Sequence, residues 1–309
     1  MNQDLKQSLK HTFLGRIYVF LRQSLRFRLL ETWLKGICRF GFRPRCTIYF
    51  GPDEIRLHSE VLRITLMNRY RVTKKKECAD LSVYWAFGSS YVPDSKEEDF
   101  HVNNNCHDIT KRNVDAVHQQ VFGYSLGVDP RTYEGRAIFK SDDNATQDAT
   151  FIDLPINEPD PLFVFQRIVD NSVDEKTNED ICLPIVNGTI PTAHLVYRPV
   201  DTQIGGRIMG DTRLVQAEQV LSRSEMIEVV RFCSEIGLDF GELDCARDRS
   251  DGRLYILDAN RANGAYVMPG EMTTRRAYWK HLELIADAFD REFVQPVLAA
   301  KGGSQNKRL

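Results

Sequence analysis

No C-x-x-C pair occurs among the seven cysteines of this 309-residue chain. An odd count without paired spacing argues against a disulfide framework or a zinc knuckle, and for reduced thiols in a cytoplasmic protein. Long apolar runs are missing too: none reaches the roughly 18 residues that a membrane span needs. The N-terminus lacks the compact apolar core and small-residue cleavage site of a secretory signal. Charge of one sign is not in excess over the whole chain. The formal net charge of -2 excludes a molecule built as a whole for nucleic acid. There is no internal repeat and no long low-complexity run. What remains is ordinary globular composition, 42% hydrophobic and 27% charged. The length suffices for one large unit or two to three small ones, each with its own core.

The first 45 residues stand apart, with ten Lys/Arg against two acids, Asp4 and Glu31. Phe13, Leu14, Ile17, Tyr18, Phe20, Leu21 and Leu25 are interleaved with the basic residues, which predicts one or two basic helices. Such an arm either rests on an anionic membrane surface or a protein partner, or packs on its own protein with a solvated basic face, and the second reading is favoured. From Cys46 the pattern changes. "CTIYF", "VLRITLM" and "DLSVYWAF" are short, β-branched and aromatic, and read as strands of a small α/β unit over 46–107. The loop residues His101, Cys106, His107 and Asp108 resemble a metal cluster but lack the second ligand pair of a zinc site.

A helix is expected over 110–122, with Val114, Val117 and Val121 on one face and Gly123 as its C-cap. "GRAIFKS", "LFVFQRIV", "ICLPIVNGTI" and "AHLVYRPV" read as strands, with a hairpin turn at Asn187-Gly188. Residues 200–215 are Gly-rich and read as a mobile loop. Ser222 and Glu225 form a capping box at the head of the clearest helix, which Gly237 closes. A last helix is expected over about 272–294, followed by a disordered tail over 296–309.

The informative stretch is the hairpin 239–260. Its first strand carries Glu242 and Asp244, and its second ends in Asp258-Ala259-Asn260. Residues two apart in a strand share a face, so Asp258 projects with Asn260 and Glu242 with Asp244. Facing acids on neighbouring strands repel when buried. A divalent cation between them removes the conflict, and Mg2+ takes hard oxygen ligands while sharing its shell with phosphates. The apolar flanks "LYIL" and "GLDF" point to buried strands that deliver polar groups to a cleft. Three further charges stand at element ends. Lys111 opens a helix, where backbone N–H groups already favour anions. Lys140 ends a strand. Arg198 ends another and offers forked donors suited to phosphate.

This order of strand-end lysine, arginine, acid and acid-x-Asn resembles the ATP-grasp superfamily over about residues 108–295. The resemblance is nearest to the branches that include D-alanine–D-alanine ligases and ribosomal-protein glutamate ligases. It implies an α+β fold in which two subdomains grip a nucleotide, here preceded by the short α/β unit and the basic arm. It also implies ATP and Mg2+ (or Mn2+) as cofactors. Asp244, Asp258 and Asn260 would hold metal. Lys111, Lys140 and Arg198 would meet phosphates, Gln166, Arg167 and Ile168 would surround the base, and Asp180 would lie near the ribose.

The implied activity is a ligase that converts a carboxylate to an acyl phosphate for attack by an amine or thiol, with Arg198 and Arg261 as catalytic candidates. The two substrates stay unidentified, and no nucleic acid is expected. The alternatives are a nucleotide-binding assembly or regulatory subunit without turnover, and a kinase on the same fold. Two departures bear on the choice. The loop after Lys140, "SDDNATQDAT", has three Asp and no Gly where the family's loop is usually Gly-rich. Glu242 also stands where many of these ligases place an arginine.

Overall fold

A computed structural model describes residues 44–56, 59–90, 100–144, 146, 148–200, 211–262 and 275–305. The basic arm lies almost wholly outside these residues. So do most of the Gly-rich loop, the segment 263–274 that follows the acid-x-Asn strand, and the last four residues.

The chain first builds a three-stranded parallel sheet in the order β2-β1-β3. It is formed by β1 (Thr47–Pro52), β2 (Arg71–Thr73) and β3 (Leu81–Trp85). All five residues of β3 are buried, as expected for a parallel strand covered on both faces. "VLRITLM" is not a strand. It lies in helix α1 (Glu60–Met67), which Ser59 caps by accepting from the Leu62 N–H at 3.4 Å. The cap and the burial of Val61, Ile64 and Thr65 along one side override the β-branched composition.

Helix α2 (Lys111–Phe122) begins at Thr110, whose hydroxyl accepts from the Asn113 N–H at 3.3 Å, and ends at Gly123 with φ 81°. A second sheet follows, in the order β5-β4-β6, from β4 (Gly135–Ser141), β5 (Thr150–Leu154) and β6 (Phe163–Arg167). Lys140 pairs with Val164 and Ile138 with Gln166, so these four residues share one face of it.

The third sheet is antiparallel, in the order β11-β10-β7-β8-β9. Its strands are β7 (Thr177–Val186), β8 (Ala193–Pro199), β9 (Asp211–Val215), β10 (Phe240–Arg247) and β11 (Leu254–Asn260). β9 occupies part of the stretch expected to be a mobile loop. It completes the sheet by pairing Ala193 with Val215 through Tyr197 with Asp211. Helix α3 (Arg223–Ile236) carries the expected capping box, with the Ser222 N–H donating to Glu225 Oε2 at 2.8 Å.

One face of this sheet is apolar. Ile181, Leu183, Ile185, Leu195, Leu243, Cys245 and Ile256 pack with Val114 and Val121 of α2 and Val229, Phe232 and Ile236 of α3. The other face carries Cys182, His194, Glu242, Asp244, Asp258 and Asn260, and towards Phe240 and Val186 it turns apolar beneath α4 (Arg275–Phe289).

Where a tail was expected, the helix continues through a π turn (Asp290–Val294) into α5 (Gln295–Gln305). Val297 and Leu298 pack on the core and the Lys301 ammonium pairs with Asp80, which holds this segment in place.

Candidate active site

Asp244 and Asp258 stand directly opposite each other on β10 and β11, and Glu242 stands opposite Asn260. A β-bulge makes this possible. Asp244 pairs with Asp258 but Cys245 pairs with Ile256, so Leu257 is the extra residue. In an unbroken strand Asp258 would share a face with Leu254 and Ile256, which lie in the apolar core. The extra residue reverses the alternation, so Ala259 joins that core while Asp258 and Asn260 emerge on the polar side. Gly241 permits the close approach of β11, since a Cβ there would sit 2.3 Å from the Asn260 carbonyl oxygen.

The Asn260 amide donates to Asp244 Oδ2 at 3.1 Å, so its amide oxygen is the atom it can offer a cation. Burial and the facing Asp244 push the Asp258 carboxyl up to about 7, against the pull of Lys111 and Lys140. Burial also raises Asp244, against Cys182, Arg198 and Asn260. Across from them, burial and the neighbouring Lys111 push Lys140 down to about 8. Burial lowers Lys111 as well, although Asp258 and three acids of the following loop oppose it. The site thus holds two like-charged pairs, carboxylates on β10 and β11 and lysines on α2 and β4. A divalent cation relieves the first pair and an anion relieves the second. Two carboxylates and an amide oxygen form a hard donor set that fits Mg2+ shared with phosphate.

The Gly-free loop after β4 spans these elements. The Asp143 carbonyl accepts from the Lys111 ammonium, and Asp142 pairs with Arg112 at 3.0 Å. The Asn144 N–H donates to Ser89 Oγ at 2.7 Å, and its side-chain amide donates to the Ala259 carbonyl at 3.2 Å. A backbone N–H that a Gly-rich loop would turn to phosphates is here given to Ser89, while the Asn144 side chain ties the loop to the acid-x-Asn strand.

Arg198 forms an ion pair with Asp180 at 3.0 Å, and Asp180 also accepts from the Asn171 amide at 2.8 Å. Burial raises the Asp180 carboxyl against the pull of Arg198. Gln166 is buried on β6, on the same face as Lys140. A pocket of ≈ 360 Å3 beside β6 brings Gln166 and Lys111 to one cavity, within the size range of small-molecule sites, but does not reach the carboxylates. The Arg167 guanidinium donates to the Tyr255 hydroxyl at 2.7 Å, and Ile168 is exposed.

Arg261 departs most from its expected role. Its side chain is fully buried, and its two Nη atoms donate to the carbonyls of Gly88, Ser89, Cys106 and His107. Those donors brace the chain after β3 against the end of β11 and are not open to a substrate carboxylate. The loop set around Cys106 is also engaged otherwise. His101 Nδ1 lies 2.8 Å from Ser82 Oγ, and Asp108 Oδ1 accepts from the Thr110 N–H at 2.8 Å.

Cys182, His194 and Asn144 carry no motif that would single them out in the sequence. Strand register alone places Cys182 beside both His194 and Asp244.

No protein-family model matches the chain, and no curated protein matches it in sequence. Solved structures do match in three dimensions. The ATP-grasp ligase PsnB, complexed with a phosphomimetic variant of its minimal precursor, Mg and ADP, superposes with a TM-score of 0.50 at 12% identity, covering 82% of this chain and 99% of that one. A second PsnB structure, with minimal precursor, gives 0.38 at 16% identity and covers 58% of this chain and 60% of that one. D-alanine–D-alanine ligase from Bacillus anthracis complexed with ATP gives 0.46 at 10% identity, over 82% and 98%. Sheet order, the opposed strand-end carboxylates and the first of these superpositions agree: the chain has the ATP-grasp fold.

Proposed function

We propose that the protein is an ATP- and Mg2+-dependent ligase that activates a carboxylate as an acyl phosphate for attack by an amine or thiol. The observation that carries this reading is the facing of Asp244 and Asp258, with Asn260 beside them, in electrostatic reach of Lys111 and Lys140. When bound, Mg-ATP supplies the phosphoryl group and the cation that screens its charge. The chain's own residues position and neutralise, and the fold need supply little covalent chemistry. Asp244, Asp258 and the Asn260 oxygen hold the cation. Lys140 and Lys111 meet phosphate oxygens, and Lys111 first gives up the Asp143 carbonyl. Arg198, held by Asp180 and in electrostatic reach of Asp244, is a further phosphate contact. Gln166, with the backbone around Arg167 and Ile168, receives the base. PsnB is complexed with its precursor peptide in these structures, and an acceptor of peptide or amino-acid kind is the corresponding expectation here.

The ties of Asn144 and Asp143 favour a second reading, nucleotide binding without turnover. One experiment separates the two. The melting temperature is measured with and without Mg-ATP, and ADP release is then followed with a panel of carboxylates and amines. Ligand at roughly 100 times its Kd adds about 2.7 kcal/mol. A shift with acceptor-dependent ADP release supports the ligase. A shift without release supports the binding subunit, and no shift at millimolar Mg-ATP removes both. In either case the Asp258→Ala variant is expected to lose the metal-dependent part of the shift.

A further inference from the structure

The polar face of the five-stranded sheet carries a second cluster that the ATP-grasp chemistry does not use. Cys182 on β7, His194 on β8 and Glu242 on β10 are all buried, and each presents a ligand atom within 4.8 Å of the others. His194 Nε2 lies 3.9 Å from Glu242 Oε2. Helix α4 closes the cluster from above with His281, whose ring stands edge-on to that of His194 at 5.2 Å between centroids. His281 is itself backed by Glu60 of α1, with Nε2 3.5 Å from Oε2.

Side-chain atoms here lack partners although they are fully out of water. His194 Nδ1, both ring nitrogens of His281 and Glu60 Oε1 make no hydrogen bond, and His194 and His281 are 2% and 0% exposed. Unpaired buried polar atoms cost free energy, and those of His194 and His281 belong to rings that lie against the three-residue cluster.

We infer that Cys182, His194 and Glu242 bind a divalent transition-metal ion of the Zn2+ type, with His281 beside them as the nearest further ligand. The donor set separates this ion from the one held by Asp244 and Asp258. One sulfur, one imidazole nitrogen and one carboxylate oxygen select a borderline-soft cation, whereas oxygen donors alone select Mg2+. Charge closes as well, since a thiolate and a carboxylate cancel a divalent ion and the imidazole stays neutral, as a buried site requires. Tetrahedral nitrogen and oxygen ligands at ~2.1 Å from zinc stand about 3.4 Å apart, so the 3.9 Å pair needs only a small contraction.

The ion has a structural place, where α1, α4 and three strands meet. Cys182 connects it to the nucleotide side, because its Sγ lies 3.3 Å from Asp244 Oδ1. On ionising to ligate metal, the thiol gives its proton to solvent and its hydrogen bond to Asp244 is lost.

The test uses the full chain purified without chelator. Bound metals are quantified by mass spectrometry. The protein is then stripped with a chelator and titrated with Co2+. The expected result is a retained first-row metal near one equivalent, and on Co2+ addition a thiolate-to-metal charge-transfer band in the near ultraviolet. Cys182→Ser, checked for cooperative melting, is expected to lose the band. His194→Gln is expected to weaken Co2+ binding at least tenfold, and Asp258→Asn to keep the band. Absence of both retained metal and the band in the wild-type chain overturns the inference without reference to any variant. So does a band that persists in Cys182→Ser. Loss of the band in Asp258→Asn would show that the cation belongs to the nucleotide site instead. The result does not depend on whether the protein turns over ATP.

Discussion

The two faces of the five-stranded sheet follow opposite physical rules. On one, Leu183, Ile185, Leu243, Cys245 and Ile256 meet the helices α2 and α3 and release their apolar surface from water. On the other, Cys182, His194 and Glu242 are buried and Asp244, Asp258 and Asn260 half-buried, at an electrostatic cost visible in the raised carboxyls of Asp244 and Asp258. The apolar face stabilises the sheet, and the polar face carries its facing acids at a cost that a neutralising partner would lower.

Four substitutions break or sharpen that contrast. Phe232→Ala removes a ring with no exposed surface from the helix that covers the apolar face, and is expected to lower stability by about 3–5 kcal/mol in urea unfolding. A loss under about 1 kcal/mol would mean that this face is not the stabilising one.

On the polar face the sign reverses. In Asp258→Asn the neutral amide relieves the cost of burying a charge and the conflict with Asp244. That cost is absent below the carboxyl's unfolded value of 3.8 and complete above its folded value of about 7. Without metal, the variant is therefore expected to gain at most about 4 kcal/mol over the wild type at pH 8, and little at pH 4. A variant less stable than the wild type at pH 8 would contradict the repulsion.

His118, on α2, supplies the opposite pH dependence. It is fully buried with neither ring nitrogen bonded, stacks on Phe122 at 4.4 Å, and burial pushes it down to about 4. Its folded value lies below its unfolded one, so the stability it contributes is complete above pH 6.5 and is lost as pH falls towards 4. His118→Phe is expected to remove about 3 kcal/mol of that acid sensitivity, read from unfolding midpoints between pH 7 and 4. An unchanged slope would locate the acid lability elsewhere.

The smallest effect is expected at the loop over the polar face. Asn144→Ala loses the bond to the Ala259 carbonyl, worth about 1 kcal/mol, and hydrogen exchange should quicken in residues 141–149 before anywhere else. Uniform quickening across the sheet would mean that the loop is part of the core.

Much of this contrast was legible in the sequence. The capping box at Ser222 and Glu225, the Gly123 and Gly237 caps and the turn at Asn187-Gly188 are local devices, and each appears where expected. The acid-x-Asn motif was readable because its apolar flanks mark a buried strand. The assignment of "VLRITLM" to a strand failed because β-branched composition is a weak signal against a helix cap and a buried side. The expected tail is a helix because Val297 and Leu298 meet a core assembled from distant segments. Arg261 looked like a substrate contact because its motif neighbour was a metal candidate. Only the carbonyls of Gly88, Ser89, Cys106 and His107, distant in the chain, turn its donors inward.

By itself the sequence determined the caps and turns, the hairpin 239–260, the resemblance to the ATP-grasp superfamily and which acids would end the decisive strand. These follow from spacing along the chain, which any local stretch carries. The tertiary structure decided which side chains meet. The bulge at Leu257 turned Asp258 to face Asp244. The register of β7, β8 and β10 gathered Cys182, His194 and Glu242 beneath His281. Such meetings join residues on different strands, a dozen or more positions apart, and their energies arise only when burial removes the water that otherwise screens them.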